Sequence, residues 1–313
     1  MKRRALVFSA LGLVGFLVLL ALFEQGTFDV ARTDARYLLD RVRTATDGVG
    51  WAQLPGFVAM GVGAGFFAGM LGMGGGVLKV AGMLLLFRLD VYFARDVSVV
   101  TMFFSTVSGL VPHWRERRVL WELAGPMAGV AVAGVVFGVL VGNHVGGPAL
   151  THLFGFFVIF LGLNTLALVF ADPGEHEMTT SFRAEGDERR RGILSGVVGG
   201  LHGFLCGLLG ISGGVVAIPM QQLLVHVPVR NAIANTLLVS AVSTGLASGL
   251  VVLLGVTRGH YALSQLLMVI AAMGGGAAVG AQLGARAGRR VSPAVLRLLF
   301  VALALTAGVS ILF

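Results

Sequence analysis

The sequence predicts an all-α polytopic membrane protein made of two inverted-topology repeats of five apolar segments, with an additional N-terminal transmembrane anchor. Three observations predict it. Hydrophobic residues make up 56% of the 313 positions and charged residues only 12%, with a mean hydropathy of +0.90. Soluble domains carry about 25% charged residues, so a water-facing shell and a disordered chain are both excluded. Apolar segments fall into two sets of five, at 56–71, 77–87, 97–112, 121–142 and 149–171, then at 193–209, 215–225, 232–254, 262–283 and 294–312. Finally, a glycine-rich stretch of the first set returns in the second.

Met1-Lys2-Arg3-Arg4 precedes a 19-residue apolar run, Ala5 to Phe23. That run exceeds the apolar core of a secretory signal, about 7–15 residues, so residues 1–23 read as an uncleaved anchor. Residues 24–53 are polar and mixed in charge, an extracytoplasmic segment that is either an amphipathic surface helix or a solvated connector. The first repeat then spans 54–171. A charged cytoplasmic linker follows at 172–192, with Arg183, Glu185, Asp187, Glu188, Arg189, Arg190 and Arg191. The second repeat spans 193–313.

The repeat is explicit. Gly65–Val77 aligns with Gly203–Val215 at an offset of 138, with eight of 13 pairs identical. The same offset pairs Ala94 with Ala232, Ser98 with Thr236, Ser105 with Ser243 and Thr106 with Thr244. Five segments per repeat is an odd number, so the second copy enters the bilayer from the opposite face. Many secondary transporters are built this way.

Loop charge sets the orientation. With the N-terminus cytoplasmic, inside regions carry 14 Lys and Arg and outside regions seven, while Lys79 and Arg297 lie within segments. That bias follows the positive-inside rule and leaves the C-terminus extracytoplasmic, in a multi-pass protein of the cell membrane. It also accounts for the net charge of +8 without nucleic acid.

The first two segments of each repeat are short. At 16 and 11 residues, 56–71 and 77–87 would reach roughly 24 and 17 Å, against a hydrocarbon core of about 30 Å. Each pair is therefore expected to dip into the membrane and turn at its glycines, Gly72 to Gly76 and Gly210 to Gly214. Pro219 is expected to break the second short helix soon after its start, whereas its counterpart Ala81 is not. A helix beginning at such a break presents free N–H groups and a positive dipole end, suited to an anion. Gly74, Gly75 and Gly76 in one repeat and Ser212, Gly213 and Gly214 in the other are thus candidate substrate contacts. The other reading is that these glycines only let helices pack closely.

Lys79 lies three residues past the first glycine run. A lysine within a bilayer costs about 2.5–3.5 kcal/mol on insertion scales, so it needs a role. It could face the anion, pair with Asp90 or Asp96, or extend to the interface. Ser98, Ser105, Asn235, Thr236 and Ser243 complete the candidate binding set. Their hydroxyls and amide could bind oxyanion oxygens, or bond neighbouring helices.

Enzymatic signals are poor, and no catalytic residue is assigned. Gly210-Ile211-Ser212-Gly213 fits the GxSG pattern of intramembrane serine proteases, but the downstream histidines, His226 and His260, sit near segment ends. Cys206 is the single cysteine, and no HxxxH pair, carboxylate cluster or GxxxxGK[ST] motif occurs, so no metal, cofactor or ATP is expected.

The duplicated stretches Gly69-Met70-Leu71-Gly72-Met73-Gly74-Gly75-Gly76 and Gly207 to Pro219 resemble the TauE/SafE family of sulfite exporters and small-anion permeases. So do the stretches Ala94–Ser98 and Ala232–Thr236. The resemblance covers about residues 54–313. It implies an integral membrane transporter for sulfite, sulfonates or related small anions. Two features depart from the family pattern. Lys79-Val80-Ala81 replaces an apolar residue and proline, and the anchor with its polar segment is additional. The expected function is export of a small anion by alternating access around a midplane site at the two breaks, with the lipid bilayer as surroundings and H+ or Na+ as an optional coupling ion. The rival readings are a membrane scaffold that moves nothing and an intramembrane protease.

Overall fold

The computed structural model describes residues 51–72, 74–171, 188–288 and 293–313. The expected anchor, residues 24–50 and most of the charged linker lie outside the described residues. Among the described residues there is no strand. A 3-10 turn, Trp51–Gln53, leads into ten helices. The first five are α1 (Leu54–Leu71), α2 (Gly76–Leu85), α3 (Val91–Arg115), α4 (Trp121–His144) and α5 (Gly147–Ala171). The next five are α6 (Glu188–Leu209), α7 (Gly214–Leu224), α8 (Val229–Thr257), α9 (Leu263–Ala287) and α10 (Pro293–Leu312).

Seven of these are long and apolar enough to cross a membrane: α1 with its leading turn, α3, α4, α5, α6, α8 and α9. The protein is a multi-pass membrane protein. The short helices are α2 and α7, at 10 and 11 residues. Their partners α1 and α6 are longer than the apolar runs suggested, at 18 and 22 residues. Helix α6 starts at Glu188, inside the expected linker, because Glu188 and the arginines after it are good helix formers at a polar end. Helix α7 also runs through Pro219 to Leu224 without breaking. A single proline removes one backbone bond, which a helix packed among others tolerates.

Helix α3 begins six residues before the apolar run does. Asp90 caps it, its carboxylate accepting from the Tyr92 amide at 2.8 Å. Arg95 and Asp96 therefore lie inside the helix, buried, rather than in an outer loop. At the other end, the turn into α4 holds Arg115, Arg117 and Arg118 beside Trp114 and Trp121, two exposed indoles in edge contact at 5.3 Å. Indole and cation together are the usual composition of a membrane–water boundary.

The packing pattern survives exchange of each helix n with helix n+5. Helix α1 packs most heavily on α9, and α6 on α4; α3 lies against α8, and α5 against α10. Each repeat therefore completes its core with a helix of the other, as a two-fold-related pair requires.

The two heaviest contacts are backbone to backbone. A Cβ built on Gly61, Gly65 or Gly69 of α1 would lie 2.0–2.3 Å from the carbonyl oxygens of Met273, Ala277 and Ala281 on α9. On α6, Gly199, Gly203 and Gly207 meet the carbonyls of Met127, Ala131 and Val135 on α4 at 2.1–2.3 Å by the same construction. The partners return the contact, Gly276, Gly280 and Gly284 against α1, Gly134 and Gly138 against α6. At these positions the glycines serve helix packing.

Gly203→Ala is expected to force α4 and α6 apart and to destabilise the fold by about 1–3 kcal/mol. Gly63→Ala, where a Cβ meets nothing within 4 Å, should leave it within about 0.5 kcal/mol. Thermal unfolding of both variants in detergent checks the contrast; equal losses would contradict it.

Candidate functional site

Both glycine runs fall between helices, not inside continuous ones. Helix α1 stops at Leu71 because Gly72 turns left-handed, φ 69°, its amide closing on Ala68 O at 2.9 Å. Gly74 and Gly75, with φ of 66° and 70°, complete the reversal before α2 starts at Gly76. Helix α6 stops in the same way at Gly210, φ 69°, its amide bonded to Cys206 O at 3.0 Å. Side chains with a Cβ seldom adopt this conformation.

The two breaks meet. A Cβ on Gly74 would lie 2.4 Å from Ser212 Cβ, and one on Gly76 would lie 2.8 Å from Gly210 O. Gly74 and Ser212 are repeat equivalents, so each faces its own counterpart across the contact. Gly75 lies against the backbone of Ala64, and its equivalent Gly213 against that of His202. Around this junction Lys79, Ser98, Ser105 and Ser212 are all 0–1% exposed, so these side chains are closed to solvent.

The first break carries the cation. Lys79 Nζ donates to Ser105 Oγ at 3.3 Å. Ser105 Oγ in turn lies 3.3 Å from Gly74 O and 3.1 Å from Met102 O, so one hydroxyl ties α3, the break and the lysine together. Among the described residues Lys79 makes no ion pair. Its two suggested carboxylate partners are taken: Asp90 caps α3, and Asp96 accepts from Arg95 Nε and Tyr261 Oη, both at 2.7 Å. Nor does Lys79 reach an interface, being fully buried.

The second break carries a chain of hydroxyls. The Gly214 amide, first of α7, donates to Ser212 Oγ at 3.2 Å. Ser212 Oγ lies 3.0 Å from Ser240 Oγ, which lies 3.1 Å from His202 Nε2. Ser98 Oγ donates to Gly210 O at 2.7 Å, fastening α3 to this break. Ser243, the equivalent of Ser105, is buried, and its hydroxyl has no partner among the described residues.

Gly74, Gly76, Lys79, Ser98, Ser105, Ser212 and Gly214 are thus brought together. Asn235 and Thr236 belong to a separate bonded group: Asn235 accepts from the Leu120 amide at 2.8 Å and donates to Gln221 at 3.1 Å, while Gln221 donates to Thr236 at 2.9 Å. Ser240, a hydroxyl on the same apolar segment as Ser243, joins the chain that reaches Ser212, and His202 and Gln221 are neighbours that the sequence does not assign to the site. Their signal was there, since an imidazole or an amide inside an apolar run needs a partner in lipid. Their proximity was not, because 38 positions separate His202 from Ser240. Among the described residues no group of three or more His, Cys, Asp or Glu could hold a metal ion.

The contact between the breaks gives a double-variant prediction. Gly74→Ala should destabilise strongly, through the clash with Ser212 and the left-handed backbone. Adding Ser212→Gly should recover the clash component and leave a residual cost of about 1–2 kcal/mol from the backbone. Thermal unfolding of the four-member cycle measures it; strictly additive losses would mean that the breaks do not touch.

Comparison with known proteins agrees with this architecture. A family profile described as "Sulfite exporter TauE/SafE" matches residues 57–311. The chain is 32% identical over 222 residues to the probable membrane transporter protein MamO of Magnetospirillum gryphiswaldense, covering 61% of this chain and 35% of that protein. It is 28% identical over 187 residues to the probable membrane transporter protein MJ0441 of Methanocaldococcus jannaschii, covering 58% and 66%. With the probable membrane transporter protein YdhB of Bacillus subtilis it shares 22% over 180 residues, covering 56% and 69%. The chain spans about a third of the length of MamO. No solved structure matches it.

Proposed function

This chain belongs to the sulfite exporter TauE/SafE family, and from that premise we propose that it is a secondary transporter that exports a small anion, of the sulfite or sulfonate class, through a site at the two helix breaks. The observation that carries the reading is Lys79, a fully buried amine beside two facing breaks with no ion pair among the described residues. As an ammonium it has three N–H donors and gives one to Ser105, which leaves two for a solute. The N-terminus of α2, three residues before Lys79, adds partial positive charge. Ser105, Ser212 and the unpartnered Ser243 supply hydroxyls of the kind that bind oxyanion oxygens.

Burial of every candidate contact supports reading this state as the occluded one in an alternating-access cycle, with inverted repeats moving around the site. Export of an anion from a negative-inside cell is downhill by about 2.3 kcal/mol per charge at 100 mV, so a coupling ion, H+ or Na+, is optional. The cell membrane, with a cytoplasmic N-terminus, is the proposed location on the loop-charge argument.

The hydroxyl chain gives the protease reading its best footing, since a histidine does approach Ser212. Ser240 stands between them, however, and each hydroxyl already has a bonding role. A general base must lie within hydrogen-bond reach of the group that it deprotonates. This favours transport over catalysis.

Two expected outcomes follow, both read by radiolabelled sulfite flux in proteoliposomes. Lys79→Met should reduce flux and apparent affinity at least tenfold; flux equal to that of the parent protein would exclude a direct contact. Ser212→Ala should keep flux within about threefold, whereas loss of all function, together with a proteolytic activity in the parent, would favour the enzyme. A well-folded protein that moves no anion would favour the scaffold.

A further inference from the structure

The Arg95–Asp96 pair lies apart from Lys79 and has its own surroundings. Arg95 Nε bonds Asp96 Oδ1 at 2.7 Å, and Arg95 Nη2 donates to Asn143 Oδ1 of α4 at 2.8 Å. Tyr261, between α8 and α9, donates to Asp96 Oδ2 at 2.7 Å. Arg258 of the same connection donates to the Asn143 backbone oxygen at 2.7 Å. The Tyr92 ring lies 5.6 Å from the Arg95 guanidinium and stacks on His260 at 4.5 Å. Asp90, at the cap of α3, is the other carboxylate of this end. Helices α3 and α4 and the α8–α9 connection thus converge where the loop-charge argument puts the extracytoplasmic side.

Among the described residues three nitrogens of this cluster have no partner: Arg95 Nη1, Asn143 Nδ2 and His260 Nδ1, the last a donor or an acceptor according to its tautomer. Arg95 is 1% exposed and Asn143 9%, yet Arg95 Nη1 and Asn143 Nδ2 bond nothing. The amide cannot simply be turned round, because the guanidinium already fixes its oxygen side. A buried donor left unmade costs about 1–3 kcal/mol, more when charged, so two on adjacent groups ask for a shared acceptor. Packing does not require them. The repeat equivalent of Arg95 is Ile233, which lies against Gly72 as Arg95 lies against Gly210. One repeat fills the position with a hydrocarbon and the other with a guanidinium.

We infer that Arg95 Nη1 and Asn143 Nδ2 form a second anion subsite, which takes a small oxyanion between the extracytoplasmic connections and the second helix break. The site rests on the transport reading above and deepens it. Arg95 packs against Gly210 on one side and, through Tyr92 and Asn143, joins the outer connections on the other. An anion leaving the break would pass from Lys79 to Arg95 by exchanging one set of N–H donors for another. Asp96 and Tyr261 hold the guanidinium in place, so its free edge is presented and not free to rotate away. Arginine suits this duty because its planar fork can bond a carboxylate and an oxyanion at once.

Arg95 itself is a poor variant, since its loss strands Asp96. Asn143→Asp keeps the oxygen that Arg95 uses and replaces the free donor with a negative acceptor. Gly142→Ala places a methyl group 2.8 Å from Arg95 Nη1 and 3.0 Å from Leu208 O of α6, with no change of charge. The measurement is isothermal titration of sulfite, and separately sulfate, into the full chain in nanodiscs, with thermal unfolding to confirm folding. The parent should bind two anions per chain. Asn143→Asp and Gly142→Ala should each lose one, at least tenfold in affinity, and retain the other within twofold; Lys79→Met should do the reverse. If Asn143→Asp fails to fold, Gly142→Ala decides alone. A parent that binds a single anion abolished by Lys79→Met, or folded variants that bind as the parent does, would overturn the subsite and mean that water alone satisfies these donors. Binding sensitive to Asn143 but indifferent to Lys79 would instead sustain the subsite and refute the central site.

Discussion

Helices α1 and α9, and likewise α6 and α4, meet with their backbones in contact, and the position of everything at the junction follows from that approach. In lipid no hydrophobic effect drives one apolar helix onto another, so association depends on close van der Waals contact and interhelical hydrogen bonds. Glycines at every fourth position of α1 and α6 remove the side chains that would hold the pairs apart. Each of these helices ends where its glycine row ends. The two breaks therefore arrive close enough for Gly74 to touch Ser212.

An interrupted helix inside a membrane leaves backbone groups that lipid cannot satisfy. Here the protein satisfies several of them with short side chains. Ser98 covers Gly210 O, Ser212 covers the Gly214 amide, and Ser105 approaches Gly74 O. The hydroxyls thus hold two roles that the sequence presents as alternatives. They bond the helices together, and they line the junction where the solute site is proposed. The polarity of the junction is a consequence of breaking helices there, before any solute is considered.

The repeats agree in backbone and differ in chemistry. Lys79 has Ala217 as its equivalent, Arg95 has Ile233, His202 has Ala64 and Ser240 has Met102. Each of these lies near a break, and each places a titratable or strongly polar group on one side only. A symmetric scaffold with asymmetric polar contents suits a carrier, in which the two access states share a framework while the solute meets different groups on the way in and on the way out.

Much of this could be read before any coordinates. Composition and the two sets of five segments determined the membrane class and the helical architecture. The matched runs at one offset located both breaks, because glycine accepts at little cost the left-handed turns that end α1 and α6. Helix ends were less legible. Apolar runs stop at charges, whereas a helix continues when its charges pair internally, as Arg95 and Asp96 do, or when they lie at a polar end, as Glu188 to Arg191 do. Partnership was decided only by the tertiary structure. Asp96 lies 17 positions from Lys79 and is bound to its own neighbour, while the serine that Lys79 meets lies 26 positions away. Which glycines pack helices and which end them was equally hidden, since one residue type serves both needs and only the backbone conformation, left-handed at Gly72, Gly74, Gly75 and Gly210, separates the two.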